Sequence, residues 1–118
     1  MLKRFFNKKA LGKKGEDRAE RFLKGLGYRI LHRNYRCPIG EIDIVAQEGK
    51  TLVFVEVKTR TTHRFGTPIE SVDWKKRERL KRLALYYIKN HFRTEPPVRF
   101  DIIGVSMDGE IEHLKGAF

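Results

Sequence analysis

Two acidic residues and a lysine lie near the middle of the chain, where Asp43 is followed, after twelve intervening residues, by Glu56-Val57-Lys58. Hard divalent cations take oxygen ligands, and Mg²⁺ uses one or two carboxylates together with waters and substrate phosphate. Asp43 and Glu56 are therefore candidate ligands for Mg²⁺ or Mn²⁺, with the backbone carbonyl of Val57 as a third oxygen. Such a metal would polarise a phosphodiester and help to generate hydroxide, while Lys58 would hold the attacking water or the phosphorane.

The alternation of side chains along a strand decides whether these groups share a face. Glu56 and Lys58 point to the same side of one strand. A tight turn at Glu48-Gly49 places Asp43 opposite Phe54 and therefore on that same face. A turn one residue longer would reverse this arrangement. The other face is expected to be an apolar layer of Ile42, Ile44, Ala46, Val53, Val55 and Val57.

A further carboxylate, Glu16, lies on the stripe of the first helix that contains Ala19 and Leu23 and should face the core. Burying an ionised carboxylate without a partner costs several kcal/mol, so acids gathered at the edge of an interior favour a bound divalent cation. Two alternatives stay open. Asp43, Glu56 and Lys58 also fit an exposed cross-strand salt bridge, and Glu16 also fits an acid near a helix N-terminus.

The charge of the chain is concentrated in two basic segments. Residues 1–36 carry twelve bases and three acids, and residues 71–95 carry eight and three, whereas residues 37–70 carry four and five. Basic flanks suit a polyanion such as nucleic acid, although a solubilising surface is the alternative. The candidates for contacts with a nucleic-acid backbone are Lys13, Lys14, Arg60, Arg64, Lys75 and Lys76.

The chain has 118 residues, of which 40% are apolar, and this length and composition indicate one folded domain. The single cysteine, Cys37, excludes an internal disulfide, and no apolar stretch is long enough to span a membrane, so a cytoplasmic protein is expected. Residues 1–10 are expected to form a flexible basic segment and residues 11–118 the domain.

Periodicity and turn signals predict an α/β fold in the order α-β-β-β-α-β-β, with a mixed sheet between helices. The first helix is expected from about Leu11 to Leu26, and the second to start at Thr67-Pro68-Ile69-Glu70 and to end near His91. The predicted strands cover residues 28–33, 39–47, 51–59, 98–107 and 110–114.

The spacing of Ile42-Asp43 and Glu56-Val57-Lys58 resembles the signature of the PD-(D/E)XK nuclease superfamily, which has the restriction-endonuclease-like fold. One departure is Ile42, where the signature has proline. The whole chain is similar to the YraN-like bacterial proteins, whose nearest well-understood relatives are archaeal Holliday junction resolvases. Besides Gly40 to Asp43 and Phe54 to Arg60, the matching stretches are Gly12 to Glu20, Asn34-Tyr35-Arg36, Phe65-Gly66 and Arg99-Phe100-Asp101.

The resemblance implies a metal-dependent nuclease site that uses Glu16, Asp43, Glu56 and Lys58, and a homodimer. The resulting hypothesis is an endonuclease of structured or branched DNA, in which water attacks phosphorus in line and the 3′ oxygen leaves. A non-catalytic nucleic-acid-binding protein that keeps the nuclease fold is the main alternative. A basic protein associated with RNA or the ribosome is a third.

Overall fold

The computed structural model describes the backbone of residues 2–60 and 73–118, and the side chains in those ranges from residue 11 onward. The element order is the predicted one and confirms the α/β class. The helices and strands are α1 (Leu2–Gly25), β1 (Arg29–Cys37), β2 (Gly40–Glu48), β3 (Thr51–Arg60), α2 (Trp74–His91), β4 (Val98–Ser106) and β5 (Ile111–Leu114).

The five strands form one mixed sheet in the order β1-β2-β3-β4-β5. Neighbouring strands are antiparallel except β3 and β4, which are parallel. A parallel pair needs a crossover connection, and α2 lies in it. Neither helix combines the length and hydrophobicity that a bilayer crossing needs, within the part of the chain that the structure describes.

The turn between β2 and β3 is one position later than predicted. Glu48 pairs with Thr51, so the turn residues are Gly49 and Lys50, and Gly49 has a φ of 59° that glycine adopts at little cost. Phe54 therefore lies opposite Val45, and the predicted pairing with Asp43 is wrong. The shift moves each cross-strand partner by two positions. Because side chains alternate along a strand, a shift of two positions leaves each residue on the sheet face that was predicted for it.

Two apolar layers cover the sheet. On one face, Ala19 and Leu23 of α1 pack against the strands, and on the other, Leu80, Leu83 and Tyr87 of α2 do so. The predicted apolar layer is confirmed on the α1 face for Ile44, Ala46, Val53, Val55 and Val57. Ile42 is the exception, because it packs on the α2 face.

The position of Ile42 follows from a break in strand alternation. Arg33, paired with Ile44, contacts α1, whereas Tyr35, paired with Ile42, packs on the α2 face. Residues two apart on a regular strand share a face, so both strands change face here. Asn34 lies at this point with a φ of 51°, a left-handed conformation that asparagine tolerates better than most residues. Asp43 occupies the corresponding position on β2.

The helix bounds differ from the predicted ones at their N-terminal ends. α1 begins at Leu2 rather than Leu11, and the division into a flexible segment 1–10 and a domain 11–118 stays a prediction. α2 begins at Trp74, and the carboxylate of its N-cap residue Asp73 accepts a hydrogen bond from the backbone of Lys76 at 2.9 Å. The predicted start at Thr67 to Glu70 lies outside the described residues. The end at His91 is confirmed.

Candidate active site

Asp43 is held where the backbone pairing of β2 and β3 stops. The ladder ends at Ile44–Val55, and beyond it the backbone N–H of Val57 donates a hydrogen bond of 2.8 Å to Asp43 Oδ2. The strand register therefore places the carboxylate of Asp43 beside the Glu56-Val57-Lys58 segment, as the sequence predicted.

Burial raises the pKa of Asp43 to about 7 despite the opposing Val57 hydrogen bond, and the negative charges of Glu56, Glu16 and Glu41 raise it further. Three carboxylates, from α1, β2 and β3, thus act on Asp43 at this place. A carboxyl group with a pKa near neutrality is costly to ionise where it stands, and a positive charge bound beside it would relieve that cost.

Glu56 lies on the α2 face of β3, and its side chain is only 17% exposed. Its Oε1 atom is 3.0 Å from the Nζ atom of Lys76 on α2. The alternative of an exposed cross-strand salt bridge among Asp43, Glu56 and Lys58 is not what the structure shows, since among the described residues no carboxylate lies within salt-bridge distance of Lys58. Lys76 was expected to contact nucleic acid, and here it holds a candidate metal ligand.

The amine of Lys58 is half-buried near two other cations. Burial lowers its pKa, the positive charges of Lys76 and Arg60 lower it further, and Glu56 opposes them. A lysine with a lowered pKa exchanges protons with water more readily than an ordinary lysine. The position therefore suits a group that handles a water molecule or an anionic oxygen.

Glu16 lies on the inner side of α1, as predicted, but its charge is compensated. Its Oε1 atom accepts hydrogen bonds from Asn34 Nδ2 at 2.9 Å and from Arg33 Nη2 at 3.3 Å. The same Asn34 amide donates to Glu41 Oε1 at 3.1 Å. Because α1 begins at Leu2, Glu16 is several turns inside the helix, which rules out the helix-terminus alternative.

Asn34 and Arg33 were missed as parts of this site. Arg33 also bonds Asp17 and Glu20 of α1, at 3.2 and 2.8 Å, and so fixes α1 against β1. The available signal was an asparagine directly after the predicted strand 28–33, since asparagine tolerates left-handed backbone better than most residues.

Close packing between α1 and β3 places Glu16 near the site. A Cβ atom on Gly15 would collide with Thr59 Oγ1 and would lie 3.1 Å from Thr59 Cβ and 3.2 Å from its Cγ2. The helix backbone can approach β3 this closely only because residue 15 has no side chain. Glu16 then follows directly on the helix.

The site fits a sparsely coordinated Mg²⁺ or Mn²⁺ better than a fully caged ion. In the ranges 2–60 and 73–118, no three His, Cys, Asp or Glu side chains form a group that could hold a metal. Mg²⁺ nevertheless keeps several waters and needs only one or two carboxylates. Asp43, Glu56 and the carbonyl of Val57 are the oxygen donors that would hold such an ion, and positive charge would offset the raised pKa of Asp43.

The other predicted contacts fall into three groups. Lys13, Lys14 and Lys75 are exposed. Arg60 is half-buried beside the site, and its Nε atom is buried without a hydrogen-bond partner. Arg64 lies outside the described residues.

A second polar cluster surrounds Asp101 and has a structural role. Its carboxylate accepts hydrogen bonds from Arg99 at 2.8 and 2.9 Å, pairs with His113 of β5 at 2.8 Å and accepts from the backbone of Gly116 at 3.1 Å. Burial alone would raise the pKa of Asp101, but these contacts outweigh it and lower the pKa to about 2. Asp101 therefore fastens β4 to the edge strand β5 and to the segment that follows it.

Comparison with known proteins identifies relatives over almost the whole chain. A UPF0102 protein of Moorella thermoacetica is 51% identical over 112 residues, which cover 91% of this chain and 93% of that protein. A UPF0102 protein of Caldicellulosiruptor saccharolyticus is 48% identical over 108 residues, with 92% of each chain covered. One of Nocardia farcinica is 43% identical and covers 100% of this chain and 96% of its own length.

Among solved structures, SfsA of Pyrococcus furiosus in complex with Ca²⁺ matches with a TM-score of 0.34 and 15% identity. The match covers 92% of this chain and 63% of the SfsA chain, so this chain spans less than two thirds of that structure. The model of the uncharacterised protein family UPF0102 matches residues 15–105. The predicted similarity to YraN-like proteins is thereby confirmed at the level of the family, and the chain is a member of UPF0102.

Proposed function

We propose that this protein is a metal-dependent endonuclease of structured or branched DNA, related to the PD-(D/E)XK nucleases. The observation that carries the proposal is the hydrogen bond of 2.8 Å from the backbone of Val57 to Asp43, a half-buried carboxyl group at the point where β2 and β3 stop pairing. Asp43 lies under the influence of three other carboxylates and beside the Glu56-Val57-Lys58 segment. Of the four acids, Asp43 alone has no cationic partner among the described residues, and a bound cation would supply one.

Each residue then has a role in phosphodiester hydrolysis. Asp43, Glu56 and the carbonyl of Val57 would hold Mg²⁺ or Mn²⁺, which when bound supplies Lewis-acid stabilisation of charge on the phosphate. Lys58 would hold the attacking water or the negative charge that develops on phosphorus. Glu16, fixed by Arg33 and Asn34, would orient the groups around that water. Water attacks phosphorus in line and the 3′ oxygen leaves.

The exposed lysines would supply affinity for nucleic acid without reading its sequence. Lys13, Lys14 and Lys75 are free to contact phosphates from two helices, and phosphate contacts position a protein without specifying bases. A homodimer would present two sites to the two strands of a junction.

The test is cleavage by the purified chain with Mg²⁺ or Mn²⁺ of four-way junctions, flaps, nicked duplex and single strands. We expect cleavage of a branched substrate, with loss of at least about a hundredfold in rate for Asp43→Asn and Lys58→Ala, the range that catalytic groups contribute. Lys50→Ala, in the turn that precedes β3, is the matched control. If every substrate stays intact, the nuclease proposal fails.

One observation favours the alternative of a non-catalytic binding protein. Lys76 and Arg33 already neutralise Glu56 and Glu16 without any metal. For such a protein, Asp43→Asn and Lys58→Ala would leave both DNA affinity and function in cells unchanged. Competition between junction DNA and structured RNA would separate the third hypothesis, an RNA-associated protein, from both.

A further inference from the structure

Lys76 lies at the end of the buried stripe of α2 and directly at the candidate site. It precedes the buried Leu80 by four residues, so both side chains are on the helix face that packs on the sheet. The neighbouring Lys75 is exposed, whereas the side chain of Lys76 is 36% exposed and reaches Glu56 at 3.0 Å. The helix geometry therefore aims one particular lysine at one particular acid.

The N-cap of α2 fixes this lysine from the backbone side. The carboxylate of Asp73 accepts a hydrogen bond from the backbone N–H of Lys76 at 2.9 Å. The first turn that carries Lys76 is thus tied to the start of the helix, and only the long side chain is left to move. Its ammonium group is close enough to Lys58 for its charge to lower the pKa of that residue.

Stability explains only part of this arrangement. The ion pair offsets the cost of holding a carboxylate at Glu56, whose side chain is 17% exposed. The first turn of a helix nevertheless disfavours positive charge, and the acid at this end of α2 is the N-cap residue Asp73, whose carboxylate accepts a hydrogen bond from the backbone of Lys76. Placing a second ammonium group near Lys58 adds repulsion between like charges. The arrangement is better explained by an anion that both ammonium groups can face.

We propose that Lys76 is a positioning residue that acts as an internal counter-ion for Glu56. When a divalent cation binds Glu56 in place of Lys76, the ammonium group of Lys76 pairs with a DNA phosphate instead. This inference rests on the proposed metal site and specifies how that site is kept neutral before it is loaded. Lys76 then competes with the cation for Glu56 in the free protein. Its ammonium group becomes available to substrate only once Glu56 has another partner.

The test is a titration of the DNA-free protein with Mn²⁺, followed by thermal unfolding and by calorimetry. Lys76→Met keeps the aliphatic stem and removes the competitor, so we expect Mn²⁺ to bind about fivefold more tightly, the factor that corresponds to about 1 kcal/mol. Lys76→Arg keeps a positive charge and should retain the wild-type affinity. Lys75→Met removes the same charge from the exposed neighbour and is the matched control. Lys76→Gln replaces Lys76→Met if the latter does not fold.

The outcomes separate this inference from the proposed function. Tighter binding in Lys76→Met or Lys76→Gln alone supports the exchange, including the case in which wild type binds no Mn²⁺ and the variant does. Equal affinities of wild type, Lys76→Met and Lys75→Met overturn the exchange and leave the nuclease proposal intact. No Mn²⁺ binding by any variant overturns both, because the metal site itself is then absent.

Discussion

The backbone N–H of Val57 donates a hydrogen bond to the carboxylate of Asp43 at 2.8 Å, on the far side of the last β2–β3 backbone pair. This contact ties a candidate metal ligand on one strand to the segment that carries the other ligand and the lysine. The position is costly for a charged group, because desolvation and the neighbouring acids raise the pKa of this half-buried carboxyl group to about 7.

The raised pKa of Asp43 makes stability depend on pH in a defined direction. The native state holds this proton up to about pH 7, whereas the unfolded chain releases it near pH 4, so unfolding free energy falls as pH rises between those values. Asp43→Asn keeps an oxygen for the Val57 N–H and removes the charge. We expect the variant to be about 1–3 kcal/mol more stable than wild type at pH 8 without metal.

Urea unfolding of both proteins at pH 5, 6, 7 and 8 measures this effect. The two curves should converge toward pH 5, where Asp43 is protonated in the native state. The exposed residue Glu110 provides the control Glu110→Gln. An asparagine variant that is less stable than wild type at pH 8 would show that ionised Asp43 is well accommodated without a cation.

Divalent cations should stabilise the wild-type protein. A ligand at 100 times its dissociation constant adds about 2.7 kcal/mol, so a clear rise in melting temperature is expected with Mg²⁺ or Mn²⁺. Because the proton on Asp43 competes with the metal, the rise should be larger at pH 8 than at pH 6. Asp43→Asn should lose most of it. A rise of equal size in the variant would place the metal elsewhere.

The element order of the fold and the closeness of Asp43 to the Glu56 segment were both predicted from the sequence, but for different reasons. The element order follows from periodicity and from turn residues, which are local properties. Asp43 and Glu56 came together although the turn was misplaced, because a turn moved by one position leaves the strand faces unchanged. The position of Ile42 could not be predicted, because it depends on the left-handed backbone of Asn34 on the neighbouring strand.

The ion pairs of the site were beyond sequence reasoning as well. Periodicity placed Glu16 on the inner stripe of α1, but its partner belongs to another element, and the same holds for Lys76 of α2. Glu56 is on β3 and Arg33 on β1, and only the packing of each helix decides which charge it meets.

Gly15 offers a test of how precisely α1 must lie on β3. The added Cβ of Gly15→Ala would strike the side chain of Thr59, so we expect a loss of about 1–3 kcal/mol in unfolding free energy. Gly12→Ala is the matched control, because nothing lies within 4 Å of its new Cβ and alanine favours the helix by about 0.5–1 kcal/mol. The double variant Gly15→Ala with Thr59→Ala should recover part of the loss. Equal stability of the two glycine variants would contradict the close approach.

The Asp101 cluster should matter for stability and not for the site. Asp101→Asn leaves Arg99 without its buried partner charge, at a cost of about 3 kcal/mol. Because the pKa of Asp101 is lowered to about 2, its contribution is present above about pH 4 and is lost as pH falls toward 2. Acid unfolding followed by circular dichroism should therefore show a flatter profile for the variant. Its stabilisation by Mn²⁺ should match that of wild type, and a lost metal response would link Asp101 to the metal site.

The exposed lysines of the two helices should determine how binding to DNA depends on salt. Each phosphate contact releases counterions and adds about 0.9 to the slope of log affinity against log salt concentration. Replacing Lys13, Lys14 and Lys75 by alanine should therefore reduce the slope by about 2–3 if all three contact phosphates. Lys50→Ala, at the turn remote from the site, should leave it unchanged. Fluorescence anisotropy with a labelled junction, at salt concentrations between about 50 and 300 mM, measures the slope for each variant.

Equal slopes for the triple variant and the control would mean that DNA binds another face of the protein. The candidate site would then not contact the DNA.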